Sequence, residues 1–480
     1  MNKPFPPNRL LKTLMILGLI LAVVPVSAKM VFQIAPTLSI SEEYSDNYLH
    51  QSVNKQEEFV TSYVAGLTLG VSEGENQLFL SYTPTYRDYK NLDQRDGINH
   101  VISMEARFSP VKHTELEAKA YDDGKNNQNQ GESQTRTASL SGTTQTGKHT
   151  DLSYSHHYNR SFSQQVRTGD YKDHTLNTTQ AGLTHRYGQK DILNAAFVYE
   201  TDSYQAADSD EYRKIDPSVT AAYWFSPLYG LETNLDYTKK DFNQSVNDLD
   251  TYAGYLKLMR TFSKTLDGYV RYRHSYTETD TYTHQIFHPS VGVDWDVTED
   301  SGVRLGVGGL FHDRSDAENS VDPFIDLDAF KRFEFNPRTV LTVTGSSNYS
   351  SSGDSASSLG YQTSYQAGAV FSHQLFKQLS TSVSGAYSRT SFGEPQLHRR
   401  DTQTTLGAGF AWTPLKWLQI GLNYSLTDYR TDASIRGDYQ DNRVYFSVSL
   451  VPETPIRPDK VLTRTEFEDK VFSPETYWKP

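Results

Sequence analysis

One pattern governs this chain from Val31 to Leu450: segments of about 9 to 13 residues with alternating polarity, each followed by a polar break, as expected of tilted strands that cross a membrane. In Phe59 to Val71 the apolar set is Phe59, Tyr63, Ala65, Leu67, Leu69 and Val71, while Thr61, Ser62, Gly66, Thr68 and Gly70 fill the gaps. The same alternation runs through Leu231, Leu235 and Tyr237; Val291, Val293, Trp295 and Val297; Val303, Leu305, Val307 and Phe311; Leu418, Ile420, Leu422, Tyr424 and Leu426; and Val444, Phe446, Val448 and Leu450. Side chains alternate across a strand, so each set lies on one face.

The breaks alternate in length. Short ones carry turn residues, at Ser72 to Glu75, Ser109-Pro110, Gly188 to Asp191, Ser226-Pro227, Thr298 to Gly302, Asn336-Pro337 and Thr413-Pro414. Between them fall longer polar stretches near Ser45 to Glu57, Asp122 to Gln134, Ser161 to Asp173, Asp202 to Tyr212, Asn243 to Asp250, Ser350 to Ser358 and Thr390 to Arg400. Short turns on one rim and long loops on the other match bacterial outer-membrane barrels, with the turns in the periplasm and the loops outside. The expected fold is therefore all-β: a single large antiparallel transmembrane barrel over 29–450, with roughly 22 strands, 16 being the low end of the count. A soluble propeller would show a blade-length repeat of fixed residues, and none is found.

Composition agrees with that reading. Only 36% of residues are hydrophobic, lean for several buried cores, yet the chain holds 32 Tyr, 23 Phe and 5 Trp. A barrel needs both, because half of each strand meets lipid and half meets water. Aromatic residues at Tyr82 and Tyr86, Tyr223 to Phe225, Tyr269 and Tyr272, and Trp412 and Trp417 read as interfacial girdles.

The flanks read differently. Lys3, Arg9 and Lys12 flank or precede an apolar run from Leu14 to Val24 that closes on Val26-Ser27-Ala28. This is the plan of a secretory signal peptide over 1–28, cleaved between Ala28 and Lys29. The first strand, Gln33 to Tyr44, starts a few residues later, which leaves no room for an N-terminal plug domain. After the closing strand Val444 to Leu450 the pattern stops, and 451–480, with Pro452, Pro455, Pro458, Pro474 and Pro480, reads as a periplasmic tail. With no cysteine, the cleavage site is not a lipidated one and no disulfide or thiolate metal site is available. The formal charge of -12 becomes about -15 without the leader's cations, and no basic patch for nucleic acid stands out.

Opposite the apolar stripes stand charged residues: Glu105 and Arg107; Glu115, Glu117 and Lys119; Glu232 and Asp236; Arg271 and Arg273; Asp294 and Asp296; and Arg304. Mid-strand charges are too costly against lipid, so these are the pore-lining candidates, with Arg271, Arg273 and Arg304 as candidates for ion selectivity. They describe a hydrated lumen, either an open conduit or an interior closed by its own salt bridges. Catalytic arrangements are not indicated: His156-His157 lies beside Ser153 and Ser155, but adjacent strand residues point to opposite faces and no glycine-framed nucleophile turn is present. His284 and His288 share a face without a third metal ligand, and Asp122-Asp123-Gly124 and Ser352-Gly353-Asp354 lack the spacing of a calcium loop. No enzyme activity, metal or cofactor is expected.

Ala35 to Asn47 (APTLSISEEYSDN), Glu58 to Gly70 (EFVTSYVAGLTLG) and Leu78 to Tyr89 (LFLSYTPTYRDY) resemble the opening of the β-barrel porin 2 family. The resemblance is strongest over the first hundred residues and continues as general barrel pattern to Leu450; the added tail departs from the usual ending at the closing strand. It implies an outer-membrane barrel of a Gram-negative bacterium, inserted by the barrel assembly machinery among lipid and lipopolysaccharide. It further implies a conduit taking part in exopolysaccharide or capsule export with a periplasmic export partner. A passive porin for small polar solutes and a structural or adhesive closed barrel are the alternatives.

Overall fold

The computed structural model describes residues 31–451, apart from 74–75, 128–130, 165–170, 205–210, 244–247, 299, 316–317, 352–360, 394–397 and 433–436. The signal peptide with its Ala28–Lys29 cleavage site and the 451–480 tail, save Val451, lie outside the described residues.

Twenty-two strands form one antiparallel sheet in which each strand pairs with its chain neighbours and β22 (Tyr439–Leu450) pairs back onto β1 (Val31–Ser45). The sheet is thus closed, and the only helical piece among the described residues is a single 3-10 turn at Asp93–Arg95. At about 4.8 Å between strands and a tilt of about 40°, such a ring has a backbone radius of about 22 Å.

The strands run from 12 to 18 residues, longer than the alternating segments suggest. Much of what reads as loop is strand: Asp122 to Asn127 ends β5 (Thr114–Asn127), and Gly131 opens β6 (Gly131–Gly147). The ladder continues past the apolar band into a collar where both faces are polar, so alternation vanishes while backbone pairing persists. Thr413-Pro414 likewise sits inside β20 (His398–Leu415), at an irregularity in its pairing with β21 (Leu418–Thr431).

Register places the two faces without ambiguity. Leu258 of β12 (Leu249–Ser263), Val270 of β13 (Leu266–Thr279), Val291 of β14 (Thr283–Thr298), Val307 of β15 (Ser301–Arg314) and Ile325 of β16 (Ser320–Asn336) lie in one cross-strand row. They are 48%, 60%, 54%, 53% and 50% exposed on the outer face. A continuous apolar row so bare requires an apolar surround, and a barrel finds it in lipid. Exposed rings of Phe262, Trp295, Trp412 and Trp417 gather toward the turn rim, and Tyr63, Tyr86, Tyr199 and Tyr252 toward the loop rim. Tyr269 is not part of a girdle. It faces inward and is 4% exposed, its hydroxyl lying in the notch left by Gly292 and Gly306.

One element leaves the wall. β17 (Thr339–Ser351) pairs with β16 only as far as Asp328↔Ser346, whereas its pairing with β18 (Tyr361–Phe376) continues to Ser351↔Tyr361. By register Tyr349 and Tyr365 belong to the outer face. Yet Tyr349 is 6% exposed and packs with Ile286, Leu310 and Phe324, all inner-face residues of β14 to β16, with Tyr365 against the same cluster. The Arg273 guanidinium lies 4.7 Å from the Tyr349 ring. In an undisturbed wall β13 and β17 would stand about 19 Å apart. The loop-rim end of β17, as far as Tyr349, is therefore tucked inside the wall over β13 to β16, while β18 stays paired with its next neighbour as far as Gln362↔Phe392.

Candidate functional site: the inner wall

The charged residues singled out from sequence all stand on the inner face, and register divides them into two groups. On β4 (Gly97–Phe108) and β5, near the turn rim, Arg107 donates to Glu117 at 3.0 Å and to Glu105 at 3.3 Å, and Lys119 reaches Glu117 at 2.9 Å. These groups are partly exposed, so water screens them and the pairs contribute little to stability. Glu115 lines a shallow depression with His113, Thr143 and Gln145.

The second group is a belt from β11 (Tyr229–Phe242) to β16. Glu232, Lys257 and Arg271 occupy one cross-strand row on β11, β12 and β13, and Asp294, Arg304 and Asp328 another on β14, β15 and β16. Signs alternate along both rows except at the Lys257–Arg271 step, which is relieved by partners from elsewhere. The Lys257 ammonium is 2.7 Å from Asp294 and 4.6 Å from the centre of the Tyr269 ring, and the Arg271 guanidinium is 2.5 Å from Asp326. Arg304 donates to Asp294 at 3.1 Å, and the Tyr255 hydroxyl donates to Glu232. Asp236 shares this face, and Asp296 lies at the turn end of β14 opposite Gly302. Arg273 differs in kind, since its guanidinium stacks on Tyr349 at the tucked-in end of β17.

Sequence reading missed Lys257, Asp326 and Asp328, although the same alternation marks them: Lys257 between Leu256 and Leu258, the two aspartates flanking Leu327. Tyr349 gave no such signal, because its parity assigns it to the opposite face.

The remaining histidines do not converge. His284 stacks on His312 at 5.7 Å between ring centres, whereas His288 is fully buried between Phe324 and Tyr349. His156 bonds Thr179 on the outer face, and His157 points the other way. No group of three metal-ligating side chains occurs among the described residues.

A third stretch of the inner face is largely uncharged. From β17 through the closure to β3 (Asn76–Tyr89), its middle and turn-rim parts carry residues such as Thr344, Ser384, Thr405, Asn423, Ser447 and Thr68. Charges return only at the loop rim, where they clasp the closure. There Asp441 accepts from Ser45 at 2.6 Å and Arg443 at 2.5 Å, Arg443 also reaches Glu43 at 3.2 Å, and Asp46 accepts from Asn442. The loop between β1 and β2 (Glu58–Glu73) then turns inward, its Tyr48 and Leu49 packing on Val60, Tyr89 and Leu92. Burial, with Tyr89 alongside, holds the Tyr48 phenol protonated well above the usual range.

No protein family matches the chain, and no curated protein matches it in sequence. Solved structures match its fold. The siderophore receptor PirA from Pseudomonas aeruginosa gives a TM-score of 0.55 at 9% identity, over 88% of this chain and 81% of its own. The ferric enterobactin receptor PfeA from the same organism, as the Q482A mutant with enterobactin, gives 0.56 at 9% identity over 89% and 82%. PirA from Acinetobacter baumannii gives 0.53 at 8% identity over 89% and 81%. At such identities the likeness is one of fold: a large closed antiparallel barrel.

Proposed function

We propose that this barrel is a conduit in the outer membrane of a Gram-negative bacterium, and that its cargo is a polysaccharide on its way to the cell surface. The observation that carries this reading is the uncharged middle and turn-rim part of the inner wall from β17 to β3, lined mostly by serine, threonine, asparagine and small residues. A hydrated sugar chain can move along such a surface by trading one neutral hydrogen bond for another. Weak and repeated contacts are what transit requires, because a tight site would hold the polymer. The ring's size fits a bulky cargo, and the resemblance of the first strands to the β-barrel porin 2 family points the same way. On this reading the turn rim faces the periplasm and an export partner meets the chain there, while the outer face meets lipid and lipopolysaccharide. The inner-face charges then tune what else passes, and the barrel does no chemistry.

A second reading, a passive porin for small polar solutes, is favoured by the charged belt on β11 to β16 together with the Tyr349 end of β17 lying against the same inner wall. The two separate in a clean deletion strain with the gene restored as control. Loss of surface polymer with retention in the periplasm supports export. Normal polymer with altered uptake of small solutes supports the porin.

A further inference from the structure

We propose that the outer face of β5 to β11, toward the loop rim, is a docking surface for lipopolysaccharide, with two pairs of cations that take the phosphates of its lipid A headgroup. The proposal deepens the reading that the outer face meets lipid and lipopolysaccharide, and it rests on that reading. It concerns the wall of the barrel rather than its cargo.

The height of the site follows from position along the strands. Tyr63 of β2, Tyr86 of β3 and Phe311 of β15 stand ten residues from the turn ends of their strands, and Ile325 of β16 stands eleven, all exposed on the outer face. With a rise of about 3.3 Å per residue and a tilt of about 40°, that is about 25 Å above the turns, the upper edge of the apolar band. At the same height β6 carries Arg136, β7 (Thr150–Gln164) Arg160, β10 (Tyr212–Trp224) Arg213 and β11 Lys239, each ten or eleven residues from its own turn end. They share parity with Leu140, Tyr154, Val219 and Leu235, which are exposed outward. Where those other strands present rings or an aliphatic chain to the headgroups, this sector presents cations.

Register sets the cations among hydroxyls. Asp122, Arg136, Arg160, Thr175 of β8 (Tyr171–Arg186) and Ser203 of β9 (Ile192–Tyr204) form one cross-strand row on the outer face. Like charges directly opposite each other across a ladder repel, so Arg136 facing Arg160 is a cost. Each is anchored from its far side: Arg136 donates its Nε to Asp122 at 3.0 Å, and Arg160 donates its Nε to Asp173 at 2.8 Å and its Nη2 to the same carboxylate. The Asp173 side chain is 5% exposed and that of Arg160 37%, so the carboxylate lies beneath and the guanidinium is what the membrane meets. Both guanidinium groups keep N–H donors after these bonds, and an anion seated between them turns repulsion into attraction. The second pair is similar. Arg213 is exposed between Thr201 and Asp241 in the register, and the Lys239 ammonium is 3.2 Å from Asp241. β7 and β10 are three strands apart, about 14 Å across the sheet. Two separated cation pairs with hydroxyls between them suit a headgroup that carries two phosphates on a sugar frame, which lipid A does and a phospholipid does not.

The test uses the purified full chain in detergent, each variant first shown to be folded by heat-modifiable gel mobility, and reads bound lipid A by native mass spectrometry. Arg136→Gln with Arg160→Gln should weaken binding about tenfold or more, the scale of two cations at an anionic membrane surface. Arg136→Lys with Arg160→Lys keeps the charges and should hold binding within about threefold of wild type. Arg389→Gln, which removes a lone cation at the same height on the outer face of β19 (Leu379–Gly393), should leave it unchanged. Phosphatidylglycerol, and lipid A stripped of its phosphates, should each bind about tenfold more weakly than intact lipid A. Wild-type binding should survive EDTA, because the arginines and not a divalent ion on the aspartates hold the phosphates. Equal binding by wild type and the glutamine variant, loss of wild-type binding in EDTA, or a preference for phosphatidylglycerol overturns the site. Each of these leaves the barrel among its lipids without a preferred headgroup and the conduit reading standing. Failure of the conduit reading appears instead as normal surface polymer and unaltered solute uptake in the deletion strain.

Discussion

At the scale of single residues, the inner wall is organised by what glycine leaves out. A Cβ on Gly306 would sit 2.5 Å from the Tyr269 hydroxyl and 3.3 Å from the Asp326 side chain, so the ring and the carboxylate that pairs with Arg271 both depend on that notch. Gly306→Val should destabilise the barrel by about 1 to 3 kcal/mol through overpacking. Gly385→Val, whose new Cβ would meet only Leu406 at 3.5 Å, should cost less. Urea unfolding in micelles, followed by tryptophan emission, measures the difference, and equal costs would remove Tyr269 from its structural role. The belt's charges carry a functional prediction. Lys257, Arg271, Arg273 and Arg304 face Glu232, Asp236, Asp294, Asp326 and Asp328, so replacing the three arginines by glutamine leaves an acidic surface. The triple variant should become several-fold more cation-preferring, read from the reversal potential in a salt gradient. An unmoved potential would take these arginines out of the conduction path. Alternation alone reached these arginines and would have reached Lys257 and Asp326. It misplaced Tyr269, because aromatic type suggested a girdle where inner-face parity governs.

At the scale of elements, the two weakest ladders behave differently. The β1–β22 ladder spans Leu38↔Leu450 to Ser45↔Arg443, and its loop end is clasped by side chains from both strands. Arg443 is the centre of that clasp, bonded to Asp441 and Glu43 and only 18% exposed. Arg443→Ala should cost about 2 kcal/mol, the scale of hydrogen bonds to charged groups. Arg430→Ala, removing an exposed pair with Asp428, should stay within about 0.5 kcal/mol. Loss of the folded gel band at lower temperature for the first variant alone is the expected result. The β16–β17 ladder, equally short, gives way at its loop end to the tucked-in end of β17. Sequence could place both pairs of strands, since apolar alternation marks Val444 to Leu450 and Leu341 to Val343. It could not show that one ladder stops early. That depends on whether aromatic packing across the lumen outcompetes backbone pairing in the wall, a contest between residues far apart along the chain.

At the scale of the whole molecule, the fold was legible because a closed barrel repeats one physical demand on every strand: apolar outward, polar inward, turns short on one rim. The strand ends were not, because beyond the lipid the demand on the outer face lapses while backbone pairing continues. The outer band therefore defines the height of the membrane better than the strand ends do, and this can be tested. Trp295, Trp412 and Trp417 stand on the outer face near the turn rim, 47%, 46% and 43% exposed, whereas Trp224 lies on the inner face, its ring in the notch of Gly230. In vesicles of lipids brominated along the acyl chain, single-tryptophan variants keeping Trp295 or Trp412 should be quenched most by bromines close to the headgroup and less by bromines near the bilayer centre. A variant keeping only Trp224 should be quenched weakly at every depth, since the wall separates it from lipid. Equal quenching of Trp224 and Trp295 would mean that the wall does not divide an inner, water-facing surface from an outer, lipid-facing one, and the conduit reading would fall with it.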